Sequence, residues 1–178
     1  MSETANDAAL GDARGVVVWL VGLPSSGKST LARAVAARLA DAGTPPVLLD
    51  GDEVRATLRP APGYDEPARD AFYESLSALA ALVARQGHVV LVPATAHRAA
   101  FRARARAVSL RFVEVFVDTP PDECARRDPK GLYARALADP AQSTLPGVGV
   151  PFERPEHPDV VVRSGDADAV ARVLAALG

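Results

Sequence analysis

A chain of 178 residues suffices for one domain and is too short for two ordinary ones, and 48% apolar with 24% charged residues excludes disordered, collagen-like and disulfide-scaffold classes. Lys and Arg total 20 against 22 Asp and Glu, a net charge of -2, so no chain-wide positive field draws in nucleic acid or an anionic membrane, and any anion has to be bound locally. A single cysteine, Cys124, cannot form an internal bridge, and three scattered histidines offer no zinc-ligand spacing, which fits a reducing cytoplasm.

In chain order, Met1 to Arg14 carries Glu3, Asp7 and Asp12 and lacks the basic, apolar and cleavage regions of a signal peptide, so residues 1–14 are expected to be a flexible tail before a domain of 15–178. Val16 to Val21 is a strand-sized apolar run, and Trp19 within it is expected in the core. Directly after it, Gly22-Leu-Pro-Ser-Ser-Gly27-Lys28-Ser29 fits G-x-x-x-x-G-K-[ST], and Leu31, Val35 and Leu39 then make a helical stripe. Glycines let backbone N–H groups curl around phosphate oxygens, and a helix start adds partial positive charge. Gly22, Ser25, Ser26, Gly27, Lys28, Ser29 and Thr30 are therefore the candidate ATP-binding residues, with Lys28 reaching the β/γ-phosphates and the Ser29 hydroxyl holding Mg²⁺.

The second strand, Val47 to Leu49, runs into Asp50-Gly51-Asp52-Glu53-Val54-Arg55. Ligands bind at the carboxyl ends of strands in open α/β sheets, so Asp50 and Asp52 are expected to face the terminal phosphate. One would serve Mg²⁺ and its waters and the other would accept a hydroxyl proton; the spacing does not assign the roles. For Asp52 the alternative is a helix N-cap after a turn. Phe72, Leu76, Leu79 and Val83 predict the next helix stripe, and Val89 to Val92 the third strand. No apolar run reaches the eighteen or more residues of a membrane span.

Arg98, Arg102 and Arg106 fall at i, i+4, i+8 and read as a solvated face, with Arg98, at a strand's carboxyl end, set apart as a ligand contact. Beside it, His97 reads as incidental. Phe112 to Val117 is the fourth strand, Asp118 its terminal turn, and Cys124 a packed residue on the following short helix. From Asp128 to Pro158 the chain is rich in Pro, Gly and charge, the composition and length of a lid. Val160 to Val162 and a helix over Asp168 to Leu177 complete the alternation, which predicts a three-layer α/β P-loop fold with a mostly parallel five-stranded sheet and a lid at about 126–158. No N-K-x-D motif supports a GTPase, and Val89 to Val92 ends in Pro93 rather than in the acid of larger ATPases, which leaves a compact kinase.

GLPSSGKST, LLDGDEVR, VFVDTPPDECARRDPKGLYARA and GVPFERPEHPD, in this order and spacing, resemble the adenylyl-sulfate (APS) kinase family over roughly residues 16–178, most specifically in Asp128-Pro-Lys-Gly-Leu-Tyr133. The resemblance implies transfer of phosphate from ATP, with Mg²⁺, to the 3′-hydroxyl of adenosine 5′-phosphosulfate in sulfate assimilation, by a cytoplasmic homodimer. It implies Lys28, Asp50 and Asp52 as catalytic, Ser29 and Asp50 on the metal, and Arg127 at the ATP. On the acceptor it implies Asp52, Arg55, Tyr64, Arg69, Thr95, Arg98, Lys130 and Leu145. Departures lie on the acceptor side: Glu53 for Asn, Tyr64 for Phe, Ala94-Thr95-Ala96-His97-Arg98 for I-S-P-x-R, Phe72 for an acceptor-binding Asn, and Leu145 for a stacking aromatic. They motivate a second expectation, the same chemistry on a different hydroxylated acceptor. A third, of another class, is a nucleotide-gated binding protein without transfer.

Overall fold

The computed structural model describes residues 15–178, so the expected tail, residues 1–14, lies outside the described residues. Five strands, β1 (Val16–Val21), β2 (Val47–Leu48), β3 (Val89–Pro93), β4 (Arg111–Val117) and β5 (Val160–Val162), form one sheet in the order β2-β3-β1-β4-β5. All four pairings are parallel, with Val16 opposite Val89 on one side and Arg111 on the other. The helices are α1 (Lys28–Asp41), α2 (Gly51–Thr57), α3 (Glu66–Arg85), α4 (Ala99–Val108), α5 (Pro121–Arg127), α6 (Leu132–Ala138) and α7 (Ala169–Ala175).

Every side chain of β1 is buried, because a central parallel strand is covered on both faces. Its residues alternate between two cores. Val16, Val18 and Leu20 pack with Val35 and Leu39 of α1 and Val173 of α7. Val17, Trp19 and Val21 pack with Phe72, Leu76 and Ala80 of α3 and Phe101 and Ala105 of α4. That is the expected three-layer architecture, and it brings the loops after β1, β2 and β3 to one end of the sheet. None of the helices among the described residues is long and apolar enough to cross a membrane.

Local readings differ in four places. The α3 seam is Phe72, Tyr73, Leu76, Ala80 and Ala84, while Leu79, expected in the stripe, is 38% exposed. From Leu76 the buried line continues at i+4 and i+8 through Ala80 and Ala84, which leaves Leu79 at its edge. Arg102, expected on a solvated face, is buried, its Nε 2.9 Å from Glu114 Oε1 of β4. The lid segment contains a helix, α6, started by Asp128, whose carboxylate accepts the N–H groups of Leu132 and Ala134. The last helix is shorter than 168–177, ending at Ala175.

Candidate active site

At the carboxyl ends of the strands lies a cavity of about 1000 Å³. That is the upper end of the range of small-molecule sites, which run to roughly 1000 Å³. One half is the loop between β1 and α1. Gly22 is tied to its place by contact: a Cβ there would meet Val117 O and Ser26 Oγ, each at 2.7 Å. Gly27 has φ +100°, a left-handed conformation that leaves its N–H as the helix start. Ser25, Gly27, Lys28, Ser29 and Thr30 line the cavity; Gly22 and Ser26 are buried beneath it.

Lys28 Nζ curls under the loop and donates to Gly22 O at 3.0 Å and Leu23 O at 2.6 Å. Burial pushes its ammonium down to about 8, against the pull of Asp52 and Asp50. The Ser29 hydroxyl donates to Asp50 Oδ2 at 2.5 Å, and Asp50 Oδ1 accepts the Asp52 N–H at 3.0 Å. The N-cap of α2 is therefore Asp50, not Asp52. Asp52 instead faces across the cleft, its Oδ2 2.6 Å from Lys130 Nζ, and this hydrogen bond raises the Lys130 ammonium above its ordinary range. Two hard oxygen donors, Ser29 Oγ and Asp50 Oδ2, side by side at the phosphate loop fit Mg²⁺, which binds through one or two protein oxygens plus phosphates. Arg127 closes this half, donating to Ser164 Oγ at 2.7 Å and pairing with Glu123.

The other half is built from α2, α3 and the lid. Arg55 is buried, donates to Gly63 O at 2.6 Å, and lies 3.8 Å from the Phe72 ring centre and 4.6 Å from that of Tyr64. Arg69, also buried, donates to Thr144 O at 2.5 Å, with its other terminal nitrogen 3.5 Å from His97 Nε2. Neither guanidinium is within ion-pair distance of a carboxylate among the described residues. Burying a charge is costly unless it is paired, so two such cations side by side mark a place for an anion. Tyr64, Thr95 and Leu145 line the same half.

Arg98 is the expected site residue that the fold takes elsewhere: it pairs with Glu66 at 2.6 Å and does not line the cavity. Several contributors were not singled out as contacts in the sequence. His97, read as incidental, lines the cavity and is pushed down to about 4 by burial and by Arg69 and Arg98. Thr119 Oγ1 donates to Ser26 O at 2.8 Å. Because C=O and N–H of a trans peptide point in opposite directions, drawing Ser26 O outward turns the Gly27 N–H into the loop. Thr119 is the second residue after the fourth strand, and its place at a strand's carboxyl end was the available signal. Tyr133 of the lid donates to Pro24 O at 3.1 Å and packs with Leu23 and Cys124.

Residues 14–163 match the family model described as adenylylsulphate kinase. The chain is 44% identical over 151 residues to an adenylyl-sulfate kinase of Chloroflexus aurantiacus, covering 84% of this chain and 80% of that protein. It is 43% identical over 151 residues to the bifunctional enzyme CysN/CysC of Mycobacterium tuberculosis, covering 83% of this chain and 24% of that longer protein. A solved structure, the Mycobacterium tuberculosis APS kinase CysC in complex with AMPPNP and APS, superposes with a TM-score of 0.87 at 39% identity, covering 92% of this chain and 98% of that one.

Proposed function

The chain belongs to the adenylylsulphate kinase family, and on that premise we propose that it is an ATP-dependent kinase that phosphorylates the 3′-hydroxyl of adenosine 5′-phosphosulfate, the activating step of sulfate assimilation. The observation that carries this reading is the pair of buried arginines, Arg55 and Arg69, without carboxylate partners, opposite a phosphate loop in one cavity. A neutral sugar gives those cations nothing to bind; a phosphosulfate does. The Phe72 departure is compatible with this, because its ring carries Arg55 by a cation–π contact.

Each acid has a distinct task. Asp50 spends both oxygens, one on Ser29 and one on the α2 cap, which suits a metal-side role. Asp52, exposed and facing the cavity, is left to take the acceptor proton. Lys130 Nζ, 2.6 Å from Asp52 Oδ2, fixes where that carboxylate points across the cleft. Lys28 and Arg127 hold the triphosphate, and Arg55 and Arg69 hold the acceptor, so that transfer rests on position and charge. Ser29 and Asp50 would hold Mg²⁺, which would supply positive charge to offset that of the phosphates. We place the protein in the cytoplasm, where Cys124 stays reduced, and expect a homodimer.

An assay coupling ADP release to NADH oxidation tests the reading, with APS offered beside adenosine, gluconate and other hydroxylated acceptors at saturating MgATP. APS alone is expected to drive turnover. Turnover with a neutral acceptor and none with APS moves the chain to the second expectation; tight ATP binding without acceptor-stimulated ADP release moves it to the third.

A further inference from the structure

Between β3 and α4 the chain makes a bend whose centre, Ala96, has φ +40°. A residue with a Cβ adopts the left-handed region only when its surroundings over-determine it. Here both polar groups of Ala96 are tied inside the protein. Its N–H donates to Tyr73 Oη at 2.9 Å, and its C=O accepts from Arg102 Nη1 at 2.7 Å. The clamps are themselves fixed: the Tyr73 ring stacks on Phe101 with centres 4.4 Å apart, and Arg102 is paired with Glu114.

The bend decides where the next side chain goes. His97 C=O accepts the Glu153 N–H at 2.8 Å, its ring lies edge-on to Phe101, and its Nε2 faces Arg69 Nη1 at 3.5 Å. Arg69 is thus held between two acceptors, His97 on the bend and Thr144 O on the lid. Tyr73 and Arg69 stand four residues apart on α3, on one face of the helix, so the hydroxyl that holds the bend also fixes its distance from the guanidinium.

Resting on the APS kinase reading above, we propose that the Tyr73 hydroxyl is a positioning group for acceptor recognition: by receiving the Ala96 N–H it keeps His97 against Arg69 and so sets the direction of the cation that takes the acceptor's anion. Burial and the neighbouring cations keep the imidazole neutral at working pH, so its lone pair is available to Arg69. The ATP cradle is built on β1 and α1, away from this bend. Releasing it lets Ala96 relax to negative φ and carries His97 off Arg69.

Tyr73→Phe removes only the hydroxyl. It is expected to raise KM for APS about tenfold, the worth of one lost hydrogen bond, while KM for MgATP and kcat stay within about threefold. Adding Ala96→Gly to Tyr73→Phe restores KM for APS, because glycine holds a left-handed bend unaided. In NMR titrations of the three histidines, the His97 midpoint moves in Tyr73→Phe from about 4 toward an ordinary value of about 6.5. Equal rises in KM for APS and for ATP, or a failed glycine rescue, overturn the proposal. If the wild-type chain does not turn over APS, the functional reading falls, and the His97 midpoint then decides the clamp by itself: moved, it stands; unmoved, it is wrong.

Discussion

Lys28→Met should make a better-folded protein and a dead enzyme. Lys28 is 8% exposed and its ammonium is held at about 8 instead of 10.5, and at about 1.4 kcal/mol per pH unit that costs the folded state about 3 kcal/mol at neutral pH. Methionine keeps the stem's packing and discards the charge. Against this gain stand the hydrogen bonds from Nζ to Gly22 O and Leu23 O, of which Leu23 O keeps a second donor in Ser26 N. The net is a stabilisation of about 1 to 3 kcal/mol, or a Tm rise of about 3 to 10 °C. The sign has a pH signature. Between pH 8 and 10.5 the unfolded chain holds a proton on Lys28 that the folded chain has released, so wild-type stability gains from this group as pH rises through that window. The variant lacks that gain, and the advantage of Lys28→Met shrinks toward pH 10. Urea melts followed through Trp19, the single tryptophan and fully buried, measure both proteins at pH 7 and pH 10. Turnover should fall by at least about a hundredfold. A variant less stable than wild type at pH 7, or a stability difference that does not change with pH, refutes the buried-charge argument.

Other expectations follow from the same geometry. The value of kcat/KM for MgATP should decline as pH rises past about 8, because free enzyme then loses the Lys28 charge, whereas kcat holds to higher pH since bound triphosphate retains the proton; steady-state kinetics from pH 6 to 10 read both. Arg55→Ala and Arg69→Ala should each raise KM for APS roughly 10- to 100-fold with smaller effects on ATP, and Arg69→Lys should not restore it, because an ammonium cannot reach Thr144 O, His97 and an anion in one plane. Asp50→Asn should raise the Mg²⁺ concentration for half-maximal rate roughly tenfold or more, whereas Asp52→Asn should lower kcat by roughly 10² to 10⁴ without moving that concentration; a magnesium titration of each separates the two acids. Thr119→Val should raise KM for MgATP several-fold and leave KM for APS in place, with Thr119→Ser restoring it, as measured in the coupled assay.

Much of the phosphate half was legible in the sequence because its chemistry is local. Gly22, Gly27, Lys28 and Ser29 lie within eight residues, and the backbone conformations they need are written in residue type. Asp50 and Asp52 were legible as strand-end acids, yet which of them caps α2 depends on where that helix starts, and the cap proved to be Asp50. Arg55 and Arg69 were expected at the acceptor through the family likeness; their burial beside each other without a carboxylate is a fact of packing. The remainder depends on contacts across long stretches of chain. Tyr73 reaches Ala96, Thr119 reaches Ser26, and Arg69 reaches Thr144, separations of 23, 93 and 75 residues that periodicity cannot see. Arg98 was misplaced for the same reason: strand-end position put it near the site, and Glu66 took it elsewhere. Helix α6 was hidden by the Pro, Gly and charge around it, which compose a lid and a short capped helix alike.

The division of one cavity into a triphosphate half and an anion half is tested most directly by a crystal structure of the protein with a non-hydrolysable ATP analogue, Mg²⁺ and APS. The account predicts the terminal phosphate at Lys28 and Ser29, the phosphosulfate on Arg55 and Arg69, and the 3′-hydroxyl within hydrogen-bonding distance of Asp52. A phosphosulfate turned away from both arginines, or a triphosphate seated anywhere but on the loop around Lys28, contradicts it.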